Sequence, residues 1–122
     1  HPKGGTMGTM LGTVIARRIQ LIHPVGLEKS VPTDLTEAAD MIAWETRDMG
    51  KNRATLWVSP GVAFTEIEAF DTLFGLEAVA IGAGGIGGAQ GAIRILAQGA
   101  AEQIELANEL IAEIAGEPDI LG

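Results

Sequence analysis

Leu76-Glu-Ala-Val-Ala-Ile-Gly-Ala-Gly-Gly-Ile-Gly-Gly-Ala-Gln-Gly-Ala-Ile-Arg-Ile-Leu-Ala-Gln98 is the stretch on which the fold turns. A strand-like run from Leu76 to Ile81 leads into Gly82 to Gly91, where six of ten residues are glycine. So much glycine is justified where the backbone must take positive φ, or where a ligand or another chain approaches closely. Beyond the loop, Ile93 and Ile95 alternate with Arg94 and Leu96, which predicts a second strand over 91–98 returning antiparallel. A helix over 88–98 is the competing reading, and the bracketing glycines weigh against it.

The flanks of this hairpin read as helices. Thr65-Glu-Ile-Glu68 has the capping-box form, in which the threonine hydroxyl accepts from a backbone amide and the glutamate reaches back to the cap. A helix therefore starts at Thr65, with Ile67, Phe70, Leu73 and Phe74 as its apolar stripe and Gly75 after its end. On the other side, a helix over 100–115 is predicted to bury Ile104, Ala107, Ile111 and Ile114. Glu102, Glu105, Glu109 and Glu113 mark its solvated face, and Gly116 and Pro118 end it.

Farther toward the amino terminus the signals weaken. Residues 54–58 form a short β-prone run ended by Ser59-Pro60-Gly61. Thr33 can cap a helix reaching Met49, with Asp34, Glu37 and Asp40 near its positive end and Gly50 as its stop. Alternation of Ile19, Leu21 and His23 with Arg18, Gln20 and Ile22 suggests a strand within 16–25, closed by His23-Pro24. Residues 1–15 are expected to be a poorly ordered or irregular arm. The order is then β-α-β-α-β-β-α: an α/β (α+β) layered sheet of parallel strands with a terminal antiparallel hairpin, forming a single domain over 16–122.

The chain has 122 residues, enough for one domain with a core. Eight Lys and Arg against sixteen Asp and Glu give a net charge of −8, which repels nucleic acid and anionic membrane surfaces. Cysteine is absent, which removes disulfides, thiolate nucleophiles and cysteine-ligated metals, and favours a cytoplasmic protein. The apolar run Met7 to Ile15 stops at Arg17-Arg18, far short of the roughly 20 residues needed to span a bilayer.

Gly82-x-Gly84-x-x-Gly87 satisfies the dinucleotide fingerprint literally and follows a strand. That motif normally opens a fold, with a further strand ending in an acidic residue about 20 positions on, whereas here residues from 102 onward read as helix. The loop residues Gly82, Gly84, Gly85, Gly87, Gly88 and Gln90 are thus the candidate ligand or pore segment, with His23, Glu28 and Arg94 as candidate assisting residues. Between Pro60 and Ile93 there is neither Lys nor Arg, so an anion at the loop would depend on backbone N–H groups and on Arg94 or a neighbouring subunit. His23 could serve as a base or metal ligand, but His1 is the only other histidine and a zinc site needs three or four ligands. Glu28, Glu45, Glu66, Glu68 and Asp71 supply carboxylates whose pairing the sequence does not fix, so no catalytic residue, metal or cofactor is assigned. Trp44 and Trp57 suit either ligand stacking or packing.

From Ala54 onward the succession of strand, helix (Thr65-Glu-Ile-Glu-Ala-Phe-Asp-Thr-Leu73), strand, glycine loop, returning strand and a helix entered through Gln98-Gly-Ala-Ala101 resembles the shell-protein domain of bacterial microcompartments. A strand and helix placed in front, and the turn Val58-Ser-Pro-Gly61, are similar to its circularly permuted members. The resemblance implies cyclic hexamers packed into sheets, with the loop between the paired strands lining a central pore for small metabolites. This loop is longer and richer in glycine than the family's usual one. The expectation is a non-enzymatic homo-oligomer with residues 82–91 near a symmetry axis or pore. The alternative is an enzyme or binding domain that takes a phosphate, nucleotide or carboxylate on the same loop.

Overall fold

A computed structural model describes residues 4–50 and 55–118. In chain order the elements are α1 (Gly5–Ala16), β1 (Ile22–Pro24), a 3-10 turn (Leu27–Lys29), α2 (Leu35–Glu45), β2 (Val62–Phe64), α3 (Glu66–Phe74), β3 (Glu77–Ala83), β4 (Ile93–Gln98) and α4 (Ala101–Ile114). The fold is mixed α/β, with β1 and β2 parallel and β3 and β4 antiparallel. Instead of one layered sheet there are two sheets of two strands each. Two compact units share the chain: residues 1–23 with 30–63, and residues 24–29 with 64–122.

The first unit corrects the sequence reading most. Residues 5–16 form a helix where an irregular arm was expected, despite Gly8 and Gly12 in its interior. Each interior glycine costs roughly 0.5–1 kcal/mol against alanine. Met7, Leu11 and Val14 nevertheless recur at helical spacing and are, with Gly5, its half-buried or buried positions, and Thr9 Oγ1 donates to Gly5 O at 3.0 Å. The helix closes in a Schellman arrangement: Ile19 N donates to Val14 O at 3.0 Å and Arg18 N to Ile15 O at 3.2 Å. Arg18 takes the left-handed position with φ 52°. That closure consumes residues 16–19, so the strand expected over 16–25 shrinks to Ile22–Pro24.

Asp34, one residue after the expected Thr33, caps α2 by accepting from Thr36 N and Glu37 N. The helix ends at Glu45 and not near Met49, because Thr46 Oγ1 bonds back to Ile42 O at 2.6 Å and the next turns tighten to Arg47 N→Trp44 O and Met49 N→Thr46 O. The strand expected over 54–58 falls instead at Val62–Phe64, after the Ser59-Pro60-Gly61 turn; Ala54 lies outside the described residues. Proline offers no N–H to a ladder, and pairing starts just beyond it, with Val62 N donating to Leu21 O at 2.9 Å. Gly61, at φ 128°, is obligatory there: a Cβ would stand 2.7 Å from Leu21 O and 3.1 Å from the His23 ring.

The second unit follows the sequence closely. Thr65 and Glu68 form the capping box, with Thr65 N donating to Glu68 Oε2 at 2.7 Å and Ile67 N to Thr65 Oγ1 at 3.2 Å, and Gly75 ends α3 in the left-handed conformation. Leu27 N of the 3-10 turn donates to Glu66 Oε2 at 2.9 Å, tying that turn to the first residue of α3. Helix α3 packs on β3 and on α4. Among the described residues of this unit, Leu76 (1% exposed) and Ala107 (3%) are the buried apolar ones. Ile111 and Ile114, expected to be buried, are 46% and 49% exposed because they lie on the last turns of α4, past the packed centre at Ala107.

Candidate functional site

The antiparallel pairing of β3 with β4 sets the glycine segment at the tip of a hairpin, which removes the helix over 88–98 as a reading. The register runs Glu77↔Gln98, Ala78↔Ala97, Val79↔Leu96, Ala80↔Ile95, then shifts so that Gly82 faces Arg94 and Ala83 faces Ile93. Ile81 is the extra residue of this bulge, and bulges sharpen the local twist. Gly84 N donates to Ala92 O at 2.7 Å, extending the ladder past the strands, and Ala92 N donates to Ala89 O at 3.1 Å.

Within the tip, Gly84, Gly87 and Gly88 have φ 79°, 62° and 98°, values that other residues rarely adopt. Gly85 is required by close approach instead, since a Cβ there would lie 2.8 Å from both Ala89 Cβ and Ala89 O. Gly82 is half-buried, and Gln90 is exposed. Ile86 projects from the centre of the tip, 92% exposed.

Of the candidate assisting residues, the structure ties Arg94 to the loop. Its Nη1 donates to Gly84 O at 3.4 Å, and its side chain lies over Gly82, where an added Cβ would stand in ordinary contact with it at 3.8 Å. The dinucleotide fingerprint here lacks the helix amino terminus that receives a pyrophosphate, because a strand follows the loop. A cation and solvent-facing backbone amides remain as what the tip can offer an anion.

His23 belongs to the Ser59-Gly61 turn. Its Nε2 lies 3.0 Å from Pro60 O and 3.0 Å from Ser59 Oγ. A carbonyl oxygen can only accept, so this contact makes Nε2 the hydrogen-bearing nitrogen. Ser59 consequently cannot pass its proton to that atom, and the pair is a turn clamp and not an activated nucleophile. Glu28 is hydrogen-bonded to the adjacent Lys29 ammonium, which holds its carboxyl below the usual carboxylate range, and its own backbone amide adds to this. Among the described residues no group of three or more His, Asp or Glu could hold a metal ion.

Trp44 is 67% exposed with the Arg47 guanidinium 4.1 Å from its ring centroid, and Trp57 is 52% exposed. The feature that sequence reasoning did not single out is the open face of the hairpin. Val79 (50% exposed), Ile81 (62%) and Leu96 (56%) lie on it, with Glu77 and Gln98 at one end and Arg94 at the other. The half-buried positions of the same strands are Ala78, Gly82, Ile93, Ile95 and Ala97, while Ala80 and Ala83 are exposed. Because β3 is apolar on both faces, period-two alternation gave no sign of which face is covered.

No protein-family model matches the chain, and no curated protein or solved structure is significantly similar to it. Among the described residues no helix is long and apolar enough to cross a membrane.

Proposed function

We propose that this chain is a homo-oligomer-forming structural subunit, non-enzymatic and cytoplasmic, whose residues 82–91 lie near a symmetry axis. Ile86 is the observation that carries the reading. A side chain of this size stabilises by about 1.5–3 kcal/mol when buried, and at the tip of the hairpin that stabilisation is unrealised. Ordinary loop tips carry small or polar residues. Copies converging on an axis would cover Ile86 with its own symmetry mates, and the side-chain-free glycines around it let several backbones approach. The exposed Leu73, Val79, Leu96, Leu106, Ile111 and Ile114 of the same unit support the reading, as does the resemblance to shell subunits of bacterial microcompartments.

The absence of cysteine makes the test clean. Ile86→Cys, oxidised at micromolar concentration, is expected to give covalent dimers, whereas Ser30→Cys as a control is not. A monodisperse monomer in sedimentation, or no cross-link at position 86, overturns the proposal. Arg94 beside Gly84 favours a second reading, a small metabolite or anion held at the loop. Thermal stabilisation by inorganic phosphate that disappears in Arg94→Gln would support it in place of the first.

A further inference from the structure

We infer that the open face of the β3–β4 hairpin is an isologous interface, which a second copy of this chain covers by stacking the same face antiparallel to itself. The inference rests on the self-association proposed above and specifies how two copies meet. The face is a stripe with a carboxylate at one end, Glu77, three aliphatic side chains in the middle, Val79, Ile81 and Leu96, and a guanidinium at the other end, Arg94. Val79, Ile81 and Leu96 are each at least half exposed, whereas Ala78, Ile93, Ile95 and Ala97 take half-buried places on the opposite face.

Two-fold symmetry allows two ways to stack such a stripe on itself. An axis along the strands would set Glu77 against Glu77 and Arg94 against Arg94. An axis across the strands reverses the stripe and brings each Glu77 to the Arg94 end of its mate. Arg94 leans over Gly82 and so places its charge above β3, the strand that also carries Glu77. Charge therefore selects the second arrangement, with Val79 near the axis. Five residues from Glu77 to Ile81 reach only about 17 Å along the strand. So narrow a face falls well below the ~800 Å² per partner of a stable dimer, and it acts as one contact of a larger assembly.

Three variants test this by sedimentation at up to several hundred micromolar. Glu77→Arg and Arg94→Glu are each expected to weaken self-association about tenfold, since each sets like charges against one another in both symmetry-related contacts. The two variants mixed are expected to associate with one another as tightly as wild type does with itself. Each supplies what the other lacks, and this recovery also shows that both are folded. Glu77→Arg makes the chain less negative, so a mere net-charge effect predicts the opposite sign for it. Val79→Cys should be joined to its mate by a short bis-maleimide.

Wild-type oligomers left unchanged by both reversals, without a cross-link at position 79, overturn this interface but leave oligomerisation standing. A wild-type monomer overturns both. Should the reversals lower thermal stability equally at all concentrations, the face is covered by its own chain and the inference fails.

Discussion

At the scale of single residues, local geometry separates what glycine must do from what other residues are made to do. Gly61 admits no Cβ because Leu21 O and the His23 ring stand too close, and its place in the turn is fixed by sterics. Arg18 is the converse, a branched cation in the left-handed conformation that glycine takes freely. The Schellman closure of α1 demands this conformation, and Val14 and Ile19, whose groups it joins, are apolar as that motif prefers. Left-handed backbone costs an ordinary residue roughly 1–2 kcal/mol, and glycine gives part of that back through its freer unfolded chain. Arg18→Gly is therefore expected to stabilise the first unit by about 1 kcal/mol, read as a higher urea midpoint with unchanged slope. An unchanged or lowered midpoint would show that the Arg18 side chain contributes more than its backbone costs. The sequence hid this closure, since an arginine pair after an apolar run reads as a charged strand start and not as a helix end.

Elements were legible where their signals are local. The capping box of α3, the glycine after it and the hairpin around 82–91 all depend on residues within a few positions of one another, and all are found. The first unit was harder because its decisive interactions are distant or concealed. Glycines masked the Met7-Leu11-Val14 stripe of α1, and the partner that sets β2 in place, Leu21, lies about forty positions upstream of Val62. The loop residues were visible as a candidate site from their glycine content alone. The open hairpin face was not, because an alanine-rich strand hides which side is covered. The α3 cap also carries a pH dependence. Hydrogen bonds from the Thr65 hydroxyl, then from the Thr65 amide, lower the Glu68 carboxyl from its ordinary 4.5. A folded value below the unfolded one stabilises above the unfolded value and is lost as pH falls through the folded one. Wild type should thus exceed Glu68→Gln in stability at about pH 7, and the difference should close as pH drops below about 4.5. Denaturant titrations of both proteins across that range check it; a gap that persists in acid would show that the cap works without its charge.

For the whole molecule, self-association must overcome a net charge of −8 on every copy. At a centre separation of roughly 30 Å in water, two such charges repel by about 9 kcal/mol before screening. Salt at 0.01 M has a Debye length near that separation and leaves about a third of the repulsion, whereas ~0.15 M salt, with a length of about 8 Å, removes nearly all of it. The attractive side responds much less. Burial of Val79, Ile81, Ile86 and Leu96 does not depend on ionic strength in this range, and exposed pairs between Glu77 and Arg94 are worth about 0–1 kcal/mol each. The repulsion is the larger salt-sensitive quantity, which fixes the sign: association should strengthen by at least about tenfold between ~0.01 and ~0.15 M sodium chloride, then level off. Anion capture at the loop runs the other way, because salt screens Arg94 and supplies a competing anion. Sedimentation equilibrium and phosphate-dependent melting, measured on the same salt series, therefore separate the two readings: association that falls as salt rises would mean that charge contacts, and not the exposed aliphatic side chains, hold the copies together.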